Sequence, residues 1–204
     1  MRDDSVDDPI AAALLGESQY ERLRARRYSL FKQSIPRKLA LQGLVLAALA
    51  LVYPLAMTLP ASSRALFPGG NPLASTPKIL LLGAYAGTIE LVAVLGLVYV
   101  GYRVQRDHGD LGEREAHRLL NVEDVASMIS LVTGAVAVAA VNGFFVLGHA
   151  GPAAMSTFLD AGGKNPFAAT PIPVSVTGIA VPAGALALLA FSFSWFFAHR
   201  LPSR

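Results

Sequence analysis

The chain has 204 residues, 53% of them hydrophobic and only 15% charged, with a net charge of +3 and no cysteine; its mean hydropathy is +0.49. A water-soluble domain carries about 25% charged residues, so the composition excludes a water-facing globule and a disordered chain. Without cysteine there is no disulfide scaffold and no thiolate metal or redox site.

Residues 1–38 form an amino-terminal segment. Asp3, Asp4, Asp7 and Asp8 repel one another, and nothing in 1–16 offers an apolar stripe to pack. This acidic start, and the short apolar run Ile10–Leu15, do not make a cleavable signal peptide. The first long apolar stretch is therefore expected to act as a signal anchor that stays in place. Residues 17–35 read as a helix, with Tyr20, Leu23, Leu30, Phe31 and Ile35 on one stripe. Arg22, Arg24, Arg26, Arg27 and Lys32 surround that stripe, so the helix suits an anionic membrane surface. The blander reading is a basic topology determinant that happens to be helical. Pro36 separates this segment from the first long apolar stretch.

Four such stretches occupy 39–60, 79–102, 125–148 and 174–198, of 22, 24, 24 and 25 residues. Crossing about 30 Å of hydrocarbon takes roughly 20 helical residues. Lipid offers the backbone no hydrogen-bond partners, so such segments must be helices or a closed barrel, and their length says helices. The expected architecture is an all-α integral membrane protein, a four-helix up-down bundle over 39–198 with a short tail at 199–204. Its partner is then the lipid bilayer itself.

Lys and Arg set the orientation. Eight lie before the first stretch, four between the second and third (Arg103, Arg106, Arg114, Arg118), and two in the tail. The other two loops hold only Arg64, Lys78 and Lys164. The bias places both termini in the cytoplasm of a cell membrane. It also accounts for the net charge without nucleic acid, for which no soluble basic domain exists.

The loop at 103–124 contains DLGEREAHRLLNVEDV, where Asp110 and Glu113 resemble a capping box. A helix is expected from 110 or 111, running into the third span; it offers a charged docking face or, more simply, a solvated extension. The other two loops are rich in Pro and Gly, and Pro152 and Gly162 bracket a short helix expected to cap the bundle or lie at the interface. No internal repeat is present to support an inverted-repeat transporter.

Glu90 is the sharpest feature, at the middle of the second span. A charge at that depth costs at least a few kcal/mol, much of it avoided by the neutral acid. Gly83, Gly87 and Glu90 share a stripe, and the two glycines permit close helix approach. The expected partner face is on the third span, where Ala135, Ala139 and Asn142 align and Ala135, Ala139 and Gly143 form a small-residue ladder. Asn142, or Tyr53 of the first span, is then the hydrogen-bond partner of Glu90. Pro54 and Pro182 are each expected to kink their helices.

Two readings of Glu90 compete: a protonatable or cation-binding site in a transport path, or a neutral acid that holds helices together. With no second acid, Lys or Arg within any apolar stretch, the acid makes a poor proton relay, which favours the structural reading. Trp195, with Phe191, Phe193, Phe196 and Phe197, reads as an aromatic belt rather than a ligand box. The histidines share no depth suited to haem, and neither HExxH nor a phosphate loop occurs. Ser127, Ser130 and Ser192 have no histidine at their level, so an intramembrane hydrolase is unsupported. The sequence therefore points to a non-enzymatic, cofactor-free membrane protein. Its expected role is a structural or accessory subunit of a homo-oligomer or of a complex with other membrane subunits. A small channel or transporter using Glu90 is the alternative.

Overall fold

The computed structural model describes residues 19–26, 32–107 and 111–201. The acidic leader, Arg27, Leu30, Phe31, His108, Asp110, residues 202–204 and the side chain of Arg26 lie outside the described residues. Helices make up most of what is described: α1 (Gln19–Arg26), α2 (Ile35–Ala50), α3 (Val52–Met57), α4 (Ala61–Arg64), α5 (Ile79–Arg106), α6 (Glu113–Met128), α7 (Ala135–His149), α8 (Pro152–Asp160) and α9 (Val176–Arg200). Four helical stretches, Ile35–Met57, Ile79–Arg106, Glu113–His149 and Val176–Arg200, are long and apolar enough to cross a membrane.

Span one begins earlier than the hydropathy edge at 39, because Pro36 sits in the first helical turn, where its missing N–H is not needed. Pro36 opens this helix instead of merely preceding it. Leu51 separates α2 from α3. Pro54 accounts for the break: it cannot donate to the carbonyl of Ala50, and its ring crowds that carbonyl. The span ends at Met57 and not at 60, since the residue before Pro60 is biased out of the helical region. Pro182, by contrast, lies inside α9 without interrupting it.

Span three is continuous with the helix of the preceding loop, as expected, but starts later and carries a π-helical segment. Gly112 is its N-cap and Glu113 its first helical residue, two or three positions later than a capping box at Asp110 would require. From there the helix runs 37 residues to His149, through a π-helical segment at Ile129–Gly134. At 1.5 Å per residue it is about 55 Å long, far more than a bilayer core. Glu123 and Asp124 are therefore part of the spanning helix, not of a loop before it.

Small residues set how closely the helices approach, as expected where lipid is as apolar as leucine. Gly43 admits the ring of Phe191, and Gly101 admits that of Phe197; a Cβ on either would stand under 3.0 Å from the ring. Gly83 and Gly87 make room for Leu49, and Gly83 also for Ile179. Spans one and three meet at both ends, through Lys38 and Glu123 at one and Thr58 and His149 at the other. Arg103 of span two pairs with Glu115 beside the start of span three.

The Pro- and Gly-rich loops close one end of the bundle. The Ser63 hydroxyl donates to the Gly148 carbonyl at 2.5 Å, and Thr170 and Thr76 join the two loops through backbone and side chain. Phe67 stacks on Phe167 at 4.3 Å, with Phe145 edge-on to Phe167. Pro152 opens α8 and Gly162, at a φ of 91°, terminates it. Met155 of α8 is buried and Phe158 meets Phe144 edge-on at 5.4 Å, so this segment caps the bundle.

Candidate functional site

Two buried polar clusters occupy the face where spans one, two and three meet. The first lies toward the arginine-rich end. Lys38, 1% exposed, donates to Glu123, also 1% exposed, at 2.7 Å. Tyr20 donates its hydroxyl to the other carboxylate oxygen, and Arg24 stands 3.6 Å from Glu123 while donating to the Gln33 carbonyl at 2.6 Å. Neither Lys38 nor Glu123 bears the burial cost alone, since each charge is paired and hydrogen-bonded. Burial, followed by the neighbouring Glu123 carboxylate, pushes the Tyr20 hydroxyl well above the ordinary tyrosine value near 10.

This cluster revises the reading of the amino-terminal helix. Tyr20 is 2% exposed and Leu23 packs against the core, so the apolar stripe of α1 is turned to the protein and not to a leaflet. Arg22 and Arg24 are half-buried and Lys32 is exposed. The helix spans Gln19–Arg26, and residues 32–34 are not helical.

The second cluster surrounds Glu90, which is fully buried. Ser130 donates to one carboxylate oxygen at 2.6 Å, and the other oxygen is buried without a protein partner. Gly134 lies directly against the carboxyl group: a Cβ there would collide with it. Ser130 and Gly134 both belong to the π-helical segment, and such segments recur at functional sites. Gln42 of span one is also fully buried, with neither its amide oxygen nor its nitrogen partnered.

The structure does not bring together the residues expected around Glu90. Asn142 donates to the Ala48 carbonyl at 2.8 Å, and Tyr53 is 37% exposed. The inner face of span three is Glu123, Ser127, Ser130, Gly134, Val138, Val141, Phe145 and Gly148. That face lies one residue, about 100° of helix, from the stripe of Ala135, Ala139 and Asn142. Ala139 and Gly143 are exposed, and nothing stands within 4 Å of a Cβ built on Gly143. In a membrane, apolar periodicity does not mark the buried side, because lipid receives leucine as readily as a helix does. Polar periodicity does: Glu123, Ser127 and Ser130 recur at four and three residues, a signal present in the sequence. Gln42, one turn from Lys38, carries the same signal.

Comparison of the chain with protein-family models, with curated proteins and with solved structures finds no match.

Proposed function

We propose that this chain is a non-enzymatic multi-pass protein of a cell membrane, an up-down-up-down four-helix bundle with both termini cytoplasmic. We infer that it works as a structural or accessory subunit of a homo- or hetero-oligomeric membrane complex. One observation carries the oligomer. Val132, Val136, Ala139, Gly143 and Val146 form an exposed stripe at helical spacing along the outside of span three, with small residues at its centre and open space at Gly143. Such a stripe lets a second transmembrane helix approach closely. The orientation rests on the arginine and lysine excess in the amino-terminal segment and the second loop. Lys32, exposed beside the docked helix, then lies toward the anionic leaflet.

The test is the native mass of the protein extracted from its own membrane in mild detergent. A homo-oligomer or co-purifying membrane subunits support this reading, and a monodisperse monomer overturns it. Gly143→Leu should lower that mass without unfolding the chain, because the stripe is the contact and the position faces open space within one copy. A second reading, a small channel or transporter, is favoured by the unpartnered oxygen of Glu90. Glu90→Gln in proteoliposomes tests it: loss of ion flux with unchanged assembly supports transport, and unchanged flux removes Glu90 from it.

A further inference from the structure

The Glu90 cluster is incomplete as protein alone. A carboxylate there has no cation: among the described residues no Lys or Arg forms an ion pair with it, and Lys38 is committed to Glu123. A neutral acid avoids much of that cost, yet its second oxygen still has no protein partner. Buried polar groups are normally satisfied, and an exception points to a bound water or ion.

Gln42 completes the geometry. Lys38, Gln42 and Leu49 follow one another at four and seven residues, so they share a face of span one. That face meets Glu123 through Lys38 and the Gly83/Gly87 stripe of span two through Leu49. Glu90 continues the same stripe three residues beyond Gly87. Counting back from the Leu49 contact at 1.5 Å per residue puts Gln42 within about 3 Å of the depth of Glu90. Gln42 is wholly buried and unpartnered, and it shares its helix face with Lys38 and Leu49.

We propose that Glu90, Gln42 and Ser130 form a binding site for a monovalent cation in the interior of the bundle. The carboxylate oxygen of Glu90, the amide oxygen of Gln42 and the hydroxyl of Ser130 are hard donors, suited to a hard cation. A single carboxylate neutralises one positive charge. A divalent ion would leave net charge in a low-dielectric interior, which is costly. Gly134 belongs to the site by omission, since any side chain there would occupy the carboxyl position. The site requires neither flux nor an oligomer, so its test is separate from both readings above.

The experiment is thermal unfolding and titration calorimetry of the full chain in detergent, with lithium, sodium or potassium chloride replacing choline chloride at constant ionic strength. The expected result is a saturable rise in melting temperature and measurable binding for at least one alkali cation. Both should disappear in Glu90→Gln and weaken by about tenfold or more in Gln42→Leu. Should Glu90→Gln fail to fold, the weakened affinity of Gln42→Leu decides the matter. Identical melting in all four salts with no calorimetric binding overturns the proposal and assigns the space to water. Unchanged binding in Glu90→Gln or Gln42→Leu overturns it as well.

Discussion

Gly134 is where a single atom matters most. Alanine there would push its Cβ into the Glu90 carboxyl, and overpacking of this kind typically costs about 1–3 kcal/mol. Gly134→Ala should therefore lower the melting temperature in detergent, whereas Gly143→Ala, facing open space within one copy, meets no clash and should hold or slightly raise that of the monomer, alanine being the better helix former. The Lys38–Glu123 pair gives a larger effect. Lys38→Met leaves the buried Glu123 carboxylate to Tyr20 and the half-buried Arg24, a loss of up to about 3–5 kcal/mol, measurable by denaturant unfolding in micelles. Replacing both residues by methionine should recover much of that loss. Tyr20 adds a pH dependence with a definite sign. Its folded-state value lies above the ordinary one near 10, so its docking contribution is complete below that value. It is lost as pH rises from there through the higher folded value. Hydrogen exchange over Gln19–Arg26 should increase in that alkaline range, and Tyr20→Phe should abolish the part of the increase due to this hydroxyl.

Among elements, spans two and four are locked where Phe197 enters the space at Gly101. Gly101→Val should separate these helices and lower stability by about 1–3 kcal/mol, as read by thermal circular dichroism. Helix boundaries are only partly legible in the sequence. Hydropathy marks where the apolar residues stop, whereas backbone hydrogen bonding marks where the helix stops. Spans two and three continue past their apolar edges, to Arg106 and back to Glu113, because charged residues remain good helix formers once outside the hydrocarbon. That extension brings Glu123 into the bundle, although hydropathy alone leaves it outside.

For the whole molecule, sidedness is open to direct measurement because the chain has no native cysteine. Single substitutions Lys164→Cys and Arg106→Cys should differ in intact cells. An impermeant maleimide should label the first and spare the second, and the reverse pattern would invert the proposed orientation.

Four membrane-length helices are dictated by the order of residues alone, because hydrophobic length and the need to satisfy every backbone group internally leave no other economical structure. Glu90 is equally conspicuous there, since an acid at that depth is costly enough to stand out against any apolar background. The surroundings of Glu90 are set instead by packing between helices. Asn142 and Ser130 are both polar and both on span three, twelve residues apart, so about 18 Å of depth as well as a rotation of roughly 120° decides between them. Apolar pattern does not fix that rotation in lipid, and only the polar spacing of Glu123, Ser127 and Ser130 marks it in the sequence. The choice is made by the joint fit of Phe145, Val141 and Val138 into the core, of Gly134 beneath the carboxyl, and of Glu123 onto Lys38 and Tyr20.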